Sequence, residues 1–211
     1  MTDQKRGWNM KVTLIDYTQN ALGNIVTAAR GCFGDKKKDA TTEENLNLVK
    51  ALIAQDHSPI EFAWAMFDIQ GISRACANQL NRYRMSSQAQ ESMRYVEVKK
   101  HKTDSIKEYP FIYPYSALKV SDACEDVVKI CFKFYDRLIK AGVPKEDARM
   151  FLPLGTETRI KIACNFRELR HILKQRLDKH AQWEVRQVAK EILLICQEKW
   201  PWLIEDLVES V

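Results

Sequence analysis

The amino-acid sequence predicts an α+β fold in a single domain that spans residues 1–211. Segments with apolar residues at helical spacing are mixed with short alternating segments, and no regular strand–helix–strand repeat connects them. The chain of 211 residues is 45% hydrophobic and has only 7 glycines and 6 prolines, which is typical of a globular protein with a full core. It contains no Gly-x-Gly-x-x-Gly motif, so we expect a fold that is not of the Rossmann type.

Period-two and period-3.6 patterns predict the elements of the N-terminal half. Thr42, with Glu43 and Glu44 behind it, is a predicted helix cap, and the sequence DHSP at residues 56–59 breaks the helix that it starts. The run IEFAWAMFDI then places apolar side chains on both faces, as in a strand that is covered on both sides. The predicted strands are Lys11–Tyr17, Ile60–Ile69 and Tyr95–Val98, and the predicted helices are Asn20–Cys32, Thr42–Gln55 and Ser73–Arg84.

The C-terminal half is predicted to be mainly helical. Its longest helix ends at Gly142-Val143-Pro144, and Pro144 starts a short helix that reaches Arg149. The run TRIKIAC alternates as a strand over Thr158–Cys164. The remaining predicted helices are Ala117–Lys140, Glu168–Leu177 and Ala181–Lys199.

Charge and cysteine content narrow the class of protein. The chain has 33 Lys and Arg against 28 Asp and Glu, and its charge of +5 suits anionic small ligands such as nucleotides or folates, but equally suits weak nucleic-acid binding. Six scattered cysteines without a Cys-x-x-Cys pair argue against a zinc site and a dithiol redox motif, so we expect no metal. Because no apolar run approaches the roughly 18–20 residues of a membrane span and no signal-type N-terminus is present, we expect a cytoplasmic protein with no membrane partner.

The stretch Gln79–Arg94 (QLNRYRMSSQAQESMR) is the strongest candidate for chemistry. It is dense in guanidinium, hydroxyl and amide groups, which suit the recognition of phosphates and base edges. Taken alone, the same composition also fits a solvated helix end. The spacer of seven residues before Ser92 is too long for one helix face, so we expect Arg82 and Ser92 to meet through a loop that folds back.

Several motifs in this order resemble those of one enzyme family. Arg82-Tyr83-Arg84, followed by seven residues and Ser92, resembles the R-H-R-x7-S signature of the flavin-dependent thymidylate synthases. The family's H-S-P-F-E turn resembles His57–Glu61, and the S-x-R-Y ending of its signature is matched by Ser92–Tyr95. Its V-P-x-E-x-A-R-x-x-L-P segment resembles Val143–Pro153, its N-x-R motif resembles Asn165–Arg167, and its R-x4-A-Q-x-E-I-R region resembles Arg176–Arg186. The resemblance runs from about Lys11 to Trp202.

The resemblance implies a fold, a reaction and an assembly. The fold would place mixed helices around a small, mostly antiparallel sheet of the thymidylate synthase-complementing-protein type. The reaction would be the reductive methylation of dUMP to dTMP, with methylenetetrahydrofolate as carbon donor, NADPH-reduced FAD as hydride source and no cysteine nucleophile. The chain would form a homotetramer with sites shared between subunits, and its partners would be dUMP and folate rather than nucleic acid.

The same resemblance implies the roles of individual residues. Arg176 would be catalytic, because its guanidinium would face uracil and stabilise negative charge as the ring becomes nucleophilic. The residues that would bind dUMP are Gln79, Arg82, Gln90, Glu91, Ser92, Arg94, Arg149 and Arg176. The residues that would bind FAD are Ser58, Arg82, Tyr83, Arg84, Gln90, Asn165, Arg167 and His171.

Three positions depart from the family's pattern, and two of them motivate an alternative function; the third is His171, where the family often has Asn. Tyr83 stands where the family has His, and a phenol does not become cationic near neutral pH as an imidazole does. Gln90 stands where the family has Glu, and it lacks the carboxylate charge. Together with the basic loop Lys99–Lys102, these changes also fit a non-catalytic or diverged nucleotide- or nucleic-acid-binding protein on the same scaffold, whose oligonucleotide affinity would depend steeply on salt.

Overall fold

Four strands form one antiparallel sheet in the computed structural model, which describes residues 9–32, 34, 40–99 and 109–208. The strands are β1 (Lys11–Tyr17), β2 (Trp64–Ser73), β3 (Ser86–Gln90) and β4 (Glu157–Asn165), and they pair in the order β1-β2-β4-β3. The α+β class with a mostly antiparallel sheet is confirmed, and the first strand has the predicted bounds.

Eight α-helices accompany the sheet within these described ranges. The first two begin at side-chain caps: Asn20 accepts a hydrogen bond from the Gly23 amide, and Thr41 forms a reciprocal capping box with Glu44, one residue before the predicted cap. The helices are α1 (Ala21–Gly31), α2 (Thr42–Ala54), α3 (Arg74–Leu80), α4 (Ser121–Lys140), α5 (Lys145–Ala148), α6 (Phe166–Leu177), α7 (Trp183–Lys199) and α8 (Pro201–Val208).

The segment after α2 differs from the predicted strand Ile60–Ile69. Residues Ser58–Phe62 form a 3-10 helix with Pro59 in its first turn, because the fixed φ and missing N–H of proline suit a helix start. The strand begins only at Trp64 and continues to Ser73, so the helix predicted over Ser73–Arg84 is shortened to Arg74–Leu80. The signature residues 82–84 therefore lie in the turn that follows α3.

The strand predicted over Tyr95–Val98 is wrong. The amides of Tyr95 and Val96 both donate to the Ser92 carbonyl, at 3.2 and 2.9 Å, and these bonds close a turn. The missed strand is β3, which occupies most of the spacer where we expected a loop. Its sequence SSQAQ has no apolar alternation, so hydrophobic periodicity gave no signal for it.

The described part of the chain divides into two compact units, and each has its own buried side chains. The first unit comprises the described residues within 1–11, 70–79 and 89–160, and in it the rings of Tyr109 and Phe132 stack with centroids 4.9 Å apart. The second comprises the described residues within 12–69, 80–88 and 161–211, and in it Phe166 packs on Trp200 at 4.7 Å. The single domain over residues 1–211 stays a prediction.

Three further observations concern the C-terminal helix, the basic loop and candidate membrane spans. Helix α8 lies beyond them and buries Leu203, Ile204 and Leu207. Of the basic loop Lys99–Lys102, residues 100–102 lie outside the described residues. None of the helices in the described ranges is both long enough and apolar enough to cross a membrane.

A buried cation ties α8 to α6. The Arg170 side chain is only 3% exposed, and its guanidinium donates to the two Asp206 carboxylate oxygens at 2.8 and 2.7 Å and to the Leu203 carbonyl. The hydrogen bond from Arg170 holds the pKa of the Asp206 carboxyl below its usual range. The pair therefore stabilises the ionised form of Asp206 in the folded chain.

We expect Asp206→Ala to lower the free energy of unfolding by about 2 kcal/mol near neutral pH, because it leaves a buried guanidinium without its carboxylate. Since the folded pKa of Asp206 is lowered, this stabilisation is fully present above the unfolded value of about 3.9 and is lost as the pH falls through the folded value. Urea unfolding of the wild type and the variant, at neutral and at acid pH, measures this difference in the free energy of unfolding and its pH dependence.

Glu205→Ala is the matched control on the same helix. Glu205 pairs with Lys50 at 2.6 Å, but the two side chains are 60% and 41% exposed, so we expect a loss below about 1 kcal/mol. Equal losses for the two variants near neutral pH would contradict the structural role of the Arg170–Asp206 pair.

Candidate active site

Helix α6 begins directly after β4, and its first turn is held by two hydrogen bonds. The Asn165 side chain accepts from the Glu168 amide at 2.8 Å, which caps the helix. The Phe166 amide donates to the Ala63 carbonyl at 2.8 Å. Four apolar side chains then form the buried face of α6, namely Phe166, Leu169, Ile172 and Leu173.

The polar face of α6 lines a groove in the second unit. Arg167, His171 and Lys174 follow one another at spacings of four and three, which places them on one side of the helix. The groove has a volume of 310 Å³. Its other lining residues are Asp56, Glu61, Met85, Asn165, Glu168 and Arg170. The structure therefore brings three of the predicted FAD residues to one groove.

Arg167 is held by two carboxylates from the segment between α2 and β2. Its guanidinium donates to Glu61 Oε1 at 2.8 Å and to Asp56 Oδ2 at 3.1 Å. These bonds raise the pKa of Arg167 above its ordinary value and lower the pKa of Asp56 below its own. Asp56 ends α2 with a φ of 53°, a left-handed conformation that Asp tolerates better than most residues. Asp56 and Glu61 thus orient Arg167 without any ligand.

Tyr83 is the buried residue of the signature and meets α6 at three points. Its hydroxyl donates to Gln175 Oε1 at 3.0 Å, its ring stands edge-on to His171 with centroids 5.9 Å apart, and the Arg176 guanidinium carbon lies 5.2 Å from its ring centroid. Burial raises the pKa of the Tyr83 phenol, while the charge and a hydrogen bond of Arg176 act in the opposite direction. The signature and Arg176 are therefore in contact.

Unlike Tyr83, the two signature arginines that flank it have exposed side chains. Arg82 and Arg84 are exposed, and within the described part of the chain neither guanidinium pairs with a carboxylate. Ser58 is also exposed, at the first residue of the 3-10 helix. These side chains keep their hydrogen-bonding capacity for a ligand.

The first unit holds the six other residues predicted to bind dUMP, namely Gln79, Gln90, Glu91, Ser92, Arg94 and Arg149. Glu146 links two of them, because Arg94 Nε donates to its carboxylate at 2.8 Å and Arg149 Nε donates to its carbonyl at 3.1 Å. The Ser92 hydroxyl accepts from the Arg94 amide at 3.3 Å. The structure thus places Ser92, Arg94 and Arg149 together.

Arg74 is a cation of the same unit that sequence reasoning missed. It donates to the Glu91 carbonyl at 3.4 Å, and burial together with the charge of Arg149 lowers its pKa from the ordinary value. Guanidinium groups close enough to perturb one another suit an anion such as a phosphate. The available signal was its position at the end of a long apolar strand, which alone did not point to a ligand.

A comparison with protein families identifies the class to which the chain belongs. The family described as "Thymidylate synthase complementing protein" matches residues 13–202. The chain belongs to this family. The resemblance predicted from the motifs is confirmed, and the matched region contains every residue predicted for the site.

Individual relatives of the thymidylate synthase-complementing family agree with this result. A protein of Thermococcus onnurineus named flavin-dependent thymidylate synthase is 34% identical over 193 residues, and the match covers 87% of this chain and 77% of that protein. A protein of Geobacter sulfurreducens with the same name is 33% identical over 206 residues, and the match covers 93% of this chain and 86% of that protein. The crystal structure of a UMP/dUMP methylase from Streptomyces cacaoi bound with 5-Br dUMP has a TM-score of 0.79 and 24% identity, covering 95% of both chains. The structural similarity to the Streptomyces cacaoi protein shows that the two chains share a fold. The roles of the site residues in this chain stay predictions.

Proposed function

We propose that the protein is a flavin-dependent thymidylate synthase that converts dUMP to dTMP by reductive methylation. The observation that carries the proposal is the contact between Arg176 and Tyr83, since it puts the guanidinium predicted to be catalytic against the family signature. Relatives that carry this enzyme name match most of the chain.

The donor chemistry of the second unit fits a flavin nucleotide. Arg82 and Arg84 are exposed guanidinium groups of the kind that bind a pyrophosphate, and Asn165 and His171 add polar groups at the groove. We therefore propose that these residues hold FAD together with Ser58, Tyr83 and Arg167. The family resemblance adds Gln90, which belongs to the first unit. Reduced by NADPH, bound FAD would supply the hydride, and methylenetetrahydrofolate would supply the carbon.

The arginines of the first unit fit the phosphate of dUMP. Arg94 and Arg149 are joined through Glu146, and Arg74 lies near enough to Arg149 for their charges to interact. The Ser92 hydroxyl would add one more donor. The remaining residues that we propose for dUMP are Gln79, Arg82, Gln90, Glu91 and Arg176.

Arg176 would act as a fixed cation at the pyrimidine ring. Uracil C5 is a poor nucleophile, so negative charge would have to build up on the ring before C5 could attack the carbon donor, and Arg176 would stabilise that charge. A preorganised cation aimed at such charge is worth about 3–4 kcal/mol of transition-state stabilisation.

The buried cysteines support methylation without a thiol adduct. Cys76, Cys164 and Cys196 are all buried. Burial raises the pKa of Cys164 to about 12 and that of Cys196 to about 12. Both thiols therefore remain protonated near neutral pH, where a thiol is a weak nucleophile.

Formation of dTMP from dUMP with methylenetetrahydrofolate, NADPH and FAD tests the proposed function. The purified protein should show flavin absorption, or gain it when FAD is added, and should form dTMP. A protein that stays colourless, forms no dTMP and binds oligonucleotides with a steep salt dependence would replace this proposal by the nucleic-acid-binding alternative.

We expect Arg176→Ala to lower the rate of dTMP formation by about 100- to 1,000-fold while FAD remains bound, because only the developing charge on the pyrimidine loses its partner. Cys164→Ala is the control, and we expect it to retain turnover. Flavin absorption and dTMP formation are measured on both variants. Unimpaired turnover in Arg176→Ala, or loss of turnover in a folded Cys164→Ala protein, would show that the roles are wrongly assigned.

We also propose that the chain forms a homotetramer in the cytoplasm, as the family resemblance implied. The first unit exposes apolar side chains on α4 and after α5, namely Val127, Ile130, Phe134, Met150, Phe151 and Leu154. Two of these, Phe134 and Phe151, pack ring against ring at 4.9 Å and so extend the apolar surface. Clustered exposed apolar side chains are typical of surfaces that another chain covers.

Ile130→Asp should weaken this self-association, because Ile130 is 66% exposed on α4 and a charge there opposes burial. Light scattering after size exclusion should give the wild type a mass four times the 24.6 kDa of one chain and the variant a smaller mass. Lys140→Asp, at the exposed end of the same helix, should leave the mass unchanged. An unchanged mass in Ile130→Asp would remove α4 from the interface.

A further inference from the structure

We propose that Tyr83 is a positioning residue that holds the Arg176 guanidinium in the orientation in which Arg176 acts. This inference rests on the proposed function, which assigns catalysis to Arg176. It gives a specific role to the position where the chain departs most clearly from the family signature.

The contact has the geometry of a cation–π interaction. The Arg176 guanidinium carbon lies 5.2 Å from the Tyr83 ring centroid, within the roughly 6 Å over which the ring quadrupole attracts a cation. The Tyr83 residue is only 5% exposed, so little water competes for the ring. Such an interaction is stronger in a desolvated place than on a surface.

The ring that supports Arg176 is itself fixed. Its hydroxyl donates to Gln175 Oε1 at 3.0 Å, and its edge meets the His171 ring at an interplanar angle of 83°. Gln175, His171 and Arg176 all belong to α6, whose apolar face is buried. Tyr83 is therefore held by the same helix that carries the guanidinium, and close packing leaves its ring few other orientations.

A phenol suits this position because it stays neutral. Burial raises the pKa of Tyr83 above its ordinary value, so the hydroxyl keeps its proton near neutral pH. A neutral ring orients the guanidinium without cancelling the positive charge that the proposed reaction uses.

A double-mutant cycle on dUMP affinity tests the coupling. Calorimetry on the flavin-free protein should show that Tyr83→Leu weakens dUMP binding roughly tenfold, as expected for the loss of a desolvated cation–π contact. In the Arg176→Ala background, Tyr83→Leu should cause little further loss, because Tyr83 acts through Arg176. Losses that multiply in the double variant would overturn the proposal.

Three further variants separate positioning from general destabilisation. Tyr83→Phe keeps the ring face but loses the hydroxyl that donates to Gln175, and Gln175→Leu, at an exposed position, removes the acceptor of the same bond. Each should therefore weaken dUMP affinity by no more than roughly threefold, through a less fixed ring. Phe67→Leu removes a ring that is 1% exposed from the core of the same unit and should leave the affinity unchanged. An equal loss in Phe67→Leu and Tyr83→Leu would mean that Tyr83 only stabilises the fold.

Crystal structures without ligand make the test independent of the proposed function. Arg176 should lie over the ring in the wild type and in Tyr83→Phe, and should take another rotamer in Tyr83→Leu. An unchanged Arg176 in Tyr83→Leu would overturn the proposal. If the wild type binds no dUMP, the proposed function fails, and the crystal structures still decide whether Tyr83 positions Arg176.

Discussion

Burial of one apolar face of α6 is the constraint on which the candidate site depends. Phe166 begins this face, is fully buried and is tied through its amide to the Ala63 carbonyl. Because a helix is rigid over twelve residues, anchoring this face also determines where the side chains on the other sides of α6 lie. Arg167, His171 and Arg176 therefore take their places from a single packing interaction, and a change in that packing would move all three together.

Three arginines of α6 are each oriented by contacts with other side chains, and these contacts differ in kind. Arg167 is bound by two carboxylates at the edge of the groove, and Arg170 is buried against Asp206. Arg176 lies over the neutral ring of Tyr83. A carboxylate offsets the charge that it orients, whereas an aromatic face does not. The difference separates Arg167, which we propose to bind FAD, and Arg170, which stabilises the fold, from Arg176, which we propose to act on the pyrimidine with a charge that the aromatic ring does not offset.

Local patterns predicted most of the elements, and they failed where stability comes from elsewhere. The alternation of Lys11–Tyr17 reports burial and was confirmed. The polar strand Ser86–Gln90 was missed, because backbone bonding to its neighbour β4 can stabilise a strand whose side chains are not apolar. In the site, the family motifs pointed to Arg167 and Tyr83, but not to Asp56 or Gln175 as their partners, which are 111 and 92 positions away. Contacts at such separations depend on tertiary packing, which no local pattern contains.

Hydrogen exchange with and without FAD tests most directly the claim that the signature turn and the polar face of α6 form the flavin site. If they do, FAD should slow exchange in peptides covering residues 56–62, 82–86 and 165–171, and should leave a peptide from residues 42–54 of α2 unchanged. Bound FAD with no protection in those three segments, or with protection confined to other parts of the chain, would contradict the account.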